Sequence, residues 1–185
     1  MSKEYSRRTF LKTAGAAAMV LALTACGGGG GSYTPIPSQP TNYTNMGTLD
    51  VKLSGKGMAQ SHGIIYLSLM LGFTDKAGKS HVIIANDQSG SNFTLDAPSG
   101  VVMGFLKGRD TSTHKPICEE AINVPEGGGV TANLMIMLTS QDLEKSSFHI
   151  TLKYNGKKIV YTAVKTTNYM GVTDYVIRTS EVTNA

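Results

Sequence analysis

The dipeptide Asn155-Gly156 constrains the fold of this chain more than any other feature. It stands between two runs, 147–154 and 157–164, whose apolar residues recur at every second position. A two-residue hairpin loop of type I′ needs positive φ at both central positions, and Asn followed by Gly adopts that conformation most readily. Such a loop fixes the register. Leu152 falls opposite Ile159, Ile150 opposite Tyr161 and Phe148 opposite Ala163, all on one face. Thr151 with Val160 and His149 with Thr162 share the other face. A slip of one residue would move the apolar set to the wrong side, so the turn and the pattern specify the same hairpin. Lys153 opposite Lys158 is the one conflict, tolerable at a solvated tip.

The chain from residue 48 to 182 is built throughout from short apolar runs punctuated by Gly, Asn, Asp and Ser. The runs 48–53, 64–73, 81–85, 92–95 and 101–107 are expected strands, followed by 121–124, 130–138, 147–154, 157–164 and 175–179. The near-continuous run Ile64-Ile-Tyr-Leu-Ser-Leu-Met-Leu71 is expected to be a strand buried on both faces or central in its sheet, with a buried helix as the competing reading. A second hairpin is expected at Asp75-Lys-Ala-Gly78, joining 64–73 to 81–85. Only Ser140 to Lys145 has a helical look, with Ser140 as a cap for a short turn. Many short strands at regular spacing define an all-β class, an antiparallel β-sandwich or barrel. The sandwich is preferred, and it resembles immunoglobulin-like modules in architecture only.

The N-terminal segment differs in kind. Ser6-Arg7-Arg8-Thr9-Phe10-Leu11-Lys12 precedes an alanine-rich apolar stretch, Thr13 to Ala25. That stretch is shorter than the roughly 18–20 apolar residues a membrane-spanning helix needs. A charged start, a short apolar middle and a small-residue end are the marks of a removable signal peptide. The motif resembles the bacterial twin-arginine export signal at every position of its consensus, with Arg7, Arg8, Phe10, Leu11 and Lys12 as the residues its receptor reads. The resemblance implies passage through the twin-arginine (Tat) machinery.

Leu23-Thr24-Ala25-Cys26 then resembles a bacterial lipobox, with Leu at −3, small residues before the cleavage point and Cys at +1. The resemblance implies diacylglycerol on the Cys26 sulfur, cleavage before Cys26 by lipoprotein signal peptidase, and acylation (palmitate) of the lipoprotein. Two or more chains, at about 0.8 kcal/mol per buried methylene, hold a protein stably on a membrane. Gly27 to Gly31 and the Pro- and Ser-rich stretch after them form a flexible tether. The expected division is a cleaved signal over 1–25, lipid anchor and linker over 26–47, a domain over 48–182 and a tail over 183–185. The linker reaches at most about 70 Å when fully extended. The expected location is the bacterial cell envelope. Gly27 rather than Asp after the lipidated cysteine favours the outer membrane if the cell has two.

Charge and cysteine counts narrow the functions. The whole chain carries a net charge of +4. Lys3, Arg7, Arg8 and Lys12 lie in the signal against Glu4, leaving 13 of the 17 basic and 12 of the 13 acidic residues. A nearly neutral remainder lacks the clustered basic face that nucleic acid requires. With Cys26 taken by lipid, Cys118 has no internal partner, so the mature chain forms no internal disulfide in its oxidising compartment. That agrees with the twin-arginine resemblance, which implies folding in the reducing cytoplasm before transport. Cys118 is expected to be buried and inert, as free cysteines mostly are. The alternatives are an intermolecular bond or a ligand.

No motif for chemistry is complete. Ala77-Gly-Lys-Ser80 resembles the tail of a phosphate-binding loop, but Phe73 stands where the first glycine belongs and a strand rather than a helix follows. His114 and Cys118 are the closest pair of soft ligands and the candidate metal residues, though a zinc site needs three or four. Met135-Ile-Met137 places two thioethers on one strand face, a pairing suited to Cu(I), with core filling as the expected role. Asp87 to Asn92 alternates oxygen ligands without the EF-hand glycine position and is expected to be a plain loop. Glu119 and Glu120 are adjacent, so a strand points them to opposite faces. Tyr154, Tyr161, Tyr169 and Tyr175 offer stacking faces, but Tyr is also an ordinary strand residue. The expectation is a non-catalytic, lipid-anchored binding or scaffolding module with an envelope protein as partner and no cofactor. The alternative is a metal or cofactor protein, or a small accessory subunit of an exported redox enzyme.

Overall fold

The computed structural model describes residues 44–61, 63–86, 90–168 and 171–185. In chain order the strands are β1 (Thr44–Asn45), β2 (Leu49–Ser61), β3 (Ile64–Asp75), β4 (His81–Ile84), β5 (Phe93–Leu95), β6 (Val101–Arg109) and β7 (Pro116–Glu119). There follow β8 (Ala121–Val124), β9 (Gly129–Leu138), β10 (Ser147–Tyr154), β11 (Lys157–Thr167), β12 (Thr173–Thr179) and β13 (Thr183–Asn184). One sheet has the order β1-β2-β3-β9-β6-β7. The other runs β12-β11-β10-β5, with β13 also on β11, and β4 with β8 makes a separate ribbon. Every pairing is antiparallel. The fold is all-β and is not a closed barrel.

Alternation explains the core. Leu67, Leu69, Leu71 and Phe73 of β3 lie at every second position and are at most 1% exposed. They meet Leu134, Ile136 and Leu138 of β9 and Ile150, Leu152, Ile159 and Tyr161 of β10 and β11 in one apolar cluster. The ribbon adds Ile83, Ile122 and Val124 to the same cluster. Edge-to-face aromatic contacts, Phe73 on Phe105 and Phe148 on Tyr175, consolidate it.

The Asn155-Gly156 hairpin forms in the expected register, Leu152 opposite Ile159 through Phe148 opposite Ala163. Asn155 and Gly156 have φ of 47° and 72°, as a type I′ loop demands. The run 64–73 is central, paired to β2 on one side and β9 on the other.

That centrality overturns the expected second hairpin. The chain does turn after Asp75, but β4 pairs with β8 and not with β3. Leu49 of β2 already pairs with Asp75, and Gly129 of β9 with Thr74. Both edges of β3 are therefore filled, and β4 must find another partner. The segment expected to be helical is a 3-10 turn, Asp142–Glu144, preceded by Gln141 with no side-chain cap. Asp142, not Ser140, takes the backbone donors there, from Thr139 (2.8 Å) and Ser99 (2.8 Å).

Other elements had no expectation. β2 continues eight residues beyond Leu53, through a bulge between Leu53 and Gly55. β7 is a short edge strand on β6. Thr44 and Asn45, placed in the linker by sequence, pair with Val51 and Asp50, and Met46 behind them is fully buried. Thr183 and Asn184, placed in the tail, pair with β11.

Candidate functional site

The densest constellation of titratable groups among the described residues is built on Asp75, at the end of β3. Its Oδ1 accepts the Ala77 N–H (2.8 Å), and its Oδ2 accepts those of Lys79 (3.0 Å) and Gly127 (2.8 Å). His81, the first residue of β4, brings Nε2 to 2.8 Å from Oδ1. On the other side of the ring, Nδ1 lies 2.8 Å from the Tyr154 hydroxyl at the end of β10. An ionised carboxylate only accepts, so Nε2 carries a proton and donates to it. In the neutral ring Nδ1 then accepts from the phenol.

Electrostatics support those roles. The N–H groups of Ala77 and Gly127 foremost, with His81 and Lys79, hold the Asp75 carboxyl well below the usual carboxylate range against the cost of its burial. Burial first, and the Asp75 charge second, push the Tyr154 phenol above its ordinary value. The order carboxylate, imidazole, hydroxyl is that of a hydrolytic triad. Here the Asp75 and His81 side chains are each 1% exposed and both ring nitrogens are engaged internally. The arrangement clamps the β3–β4 turn, the 125–128 loop and the end of β10 together.

The candidate metal residues lie on an exposed loop and an edge strand. His114 is in the loop before β7 at φ 55°, its N–H on the Asp110 carbonyl and its own carbonyl accepting from Arg109. Cys118 is on β7, half-buried and without a disulfide, and burial pushes its thiol up. Among the described residues no group of three or more His, Cys, Asp or Glu is placed to hold a metal ion. His149 pairs with Asp96 (2.7 Å).

Several further expectations resolve residue by residue. Met135 is buried and Met137 half-buried, but neither belongs to the central apolar cluster, whereas Met46 is part of it and Met58 packs against it. Their neighbours Leu134, Ile136 and Leu138 take the inward positions of β9. Tyr161 and Tyr175 are buried and present no stacking face, and Tyr154 is held by His81. Asn92 uses Oδ1 to accept the Ile84 N–H and Nδ2 to donate to the Lys153 carbonyl, so it serves the backbone. His62, Tyr169, Met170 and Asp87 to Ser89 lie outside the described residues. So do Arg7, Arg8, Phe10, Leu11, Lys12 and Cys26.

Sequence reasoning missed the Asp75 clamp because its members are 6 and 73 residues apart. The available signal was an Asp ending an apolar strand just before Lys-Ala-Gly, a position that favours an Asx turn.

The described domain is thus an all-β protein in which Asp75, Asn92 and Asp142 hold loops and turns through their side chains. Its defining functional element is the N-terminal segment: residues 4–24 match the TAT (twin-arginine translocation) pathway signal sequence. The chain carries a Tat signal peptide and is exported across the cytoplasmic membrane through the Tat machinery. No match is found among curated proteins.

Proposed function

We propose that this protein is a lipid-anchored module of the bacterial cell envelope that acts by binding, without chemistry of its own. The observation that carries the reading is Leu23-Thr24-Ala25-Cys26, a lipobox pattern placed at the end of the matched export signal. The Cys26 sulfur takes the diacylglycerol, and signal peptidase frees the Cys26 amine for acylation. The glycine-rich tether lets the domain sample the space above the membrane. Gly27 after the cysteine directs the protein to the outer membrane where there are two.

The domain on the tether is a β-sandwich of immunoglobulin-like architecture, and its loops and sheet edges present the binding surface to an envelope protein. Two features support this: the two sheets share one apolar core, and the carboxylates at the loops brace backbone. The experiment is labelling of cells with radioactive palmitate, followed by crosslinking in the living envelope. Label on the parent and none on Cys26→Ser, with the variant released from membranes, is the expected result. A labelled Cys26→Ser protein refutes the anchor, and a parent that crosslinks to no envelope protein refutes the binding role.

A further inference from the structure

The face of the six-stranded sheet turned away from the core is rich in sulfur. Met70, Met103, Met135 and Met137 all stand outside the apolar cluster, and on β3 and β9 they alternate with the leucines and isoleucine that build it. The register places them together. Ser68, Met135 and Gly104 share one row across β3, β9 and β6. Met137 lies in the next row opposite Val101, and Met70 is opposite Asn133. Met103 is the extra residue of a bulge between Val102 and Gly104, which sets it beside Met135.

Cys118 joins this group through Gly104. A Cβ at Gly104 would lie 3.3 Å from the Cys118 Cβ. Cys118 itself pairs with Leu106, and Gly104, diagonal to it, puts no side chain of its own between Met135 and the thiol. Opposite residues on adjacent strands have Cβ atoms about 5 Å apart, and methionine swings its sulfur through three rotatable bonds. Met135 and Cys118 lie two strands apart, a span of about 10 Å that the methionine stem and two metal–sulfur bonds have to bridge, with Met103 beside them on β6.

A second observation marks the same patch as incomplete. Ser68 is 6% exposed, yet its Oγ has no hydrogen-bond partner, and neither does the buried Oδ1 of Asn133. Buried polar atoms are nearly always paired. These two flank Met135, Ser68 across the pairing and Asn133 two residues back on the same strand face.

We infer that this face binds one Cu(I) ion through Met103, Met135 and the thiolate of Cys118, with Met137 in the next row beside the site. Thioether and thiolate donors select Cu(I) over harder ions. Binding involves no redox change. The Cys118 S–H bond breaks, sulfur keeps the electron pair and donates it to copper, and the proton leaves to water. An ordinary thiol is protonated at neutral pH, so binding displaces its proton and affinity rises about tenfold per pH unit.

The test is a competition titration of Cu(I) against bathocuproine disulfonate, without oxygen, on the protein isolated from the envelope in detergent and stripped of copper. The expected result is one copper retained per chain with one proton released. Met103→Leu and Met135→Leu should each weaken binding at least about tenfold, and Cys118→Ser should abolish the pH dependence. Leucine conserves volume at both methionines, so melting temperatures near the parent's show that the fold is kept. X-ray absorption of the bound copper should be dominated by sulfur neighbours. Copper lost to the chelator, nitrogen- or oxygen-dominated scattering, or methionine variants that bind as tightly as the parent would each overturn the assignment. The last result would mean an adventitious ion on the thiol alone.

Discussion

Gly156 and Gly104 show how single backbone conformations determine local outcomes. Gly156 sits at φ 72° in the hairpin loop. A Gly156→Val substitution forces a β-branched side chain into left-handed space, which costs about 1–2 kcal/mol, and should lower the urea midpoint accordingly. Gly104, at φ 117°, would place a Cβ 2.5 Å from the Glu119 carbonyl oxygen. Gly104→Ala should therefore destabilise by roughly 2 kcal/mol and loosen β7, which hydrogen exchange at Ile117 and Cys118 would report. Asp75 gives a pH dependence. Its carboxyl is depressed in the folded chain, so its stabilisation is present above the unfolded carboxylate value of about 4 and is lost as pH falls below it. Asp75→Asn turns an amide donor toward backbone donors. Its melting temperature should be lower at neutral pH and should fall less steeply than the parent's in acid. Parallel acid profiles would show that Asp75 is not the group responsible.

At the scale of elements, the bulge in β2 has the largest consequence. Leu53 pairs with Leu71 and points inward, but past the bulge Lys56 pairs with Leu69 and takes the inward position. Its ammonium, with a side chain 8% exposed, reaches the Asp174 carboxylate at the start of β12 and ties the two sheets together. Asp174→Leu leaves that charge buried and unpaired, which should cost about 3 kcal/mol. Lys56→Met with Asp174→Leu should recover most of the loss, because neither charge is then stranded. Equal stability of the single and double variants would show that the pair contributes nothing beyond its packing. The same bulge explains why β2 was illegible beyond Leu53. The phase of alternation flips there, and Gly55-Lys56-Gly57 shows no apolar period. β7 was hidden for another reason, since it opens on Pro116 and ends on Glu119, and its one large apolar residue, Ile117, faces solvent. The β10–β11 register was legible because its turn and its pattern act on adjacent residues. The partner of β4 was not, because it depends on which strand edges distant segments leave free. The export signal is a contiguous motif and was readable whole, whereas the Asp75 clamp and the sulfur-rich face are assembled only by the fold.

At the scale of the whole molecule, topology and export route constrain each other. The central pairing of β3 joins Leu67 to Ile136, and β5 pairs across to β10. Such non-local pairing makes folding slow, because loop-closure entropy is lost before contacts reward it. A chain of this kind is exposed to aggregation while unfolded, and the twin-arginine resemblance implies that it crosses the membrane already folded. Nothing in the described core requires an oxidising compartment, since Cys118 is free. Folding should therefore be complete in the cytoplasm. Replacing Arg7 and Arg8 together by Lys should block export and leave a soluble-phase or membrane-associated precursor whose domain resists protease inside the cell. Its urea midpoint, measured with and without reductant, should equal that of the exported protein. A precursor that is degraded as it accumulates, or that becomes protease-resistant only after an oxidant is supplied, would mean that the fold is completed outside the cytoplasm and that the Tat signal serves some need other than the transport of a finished domain.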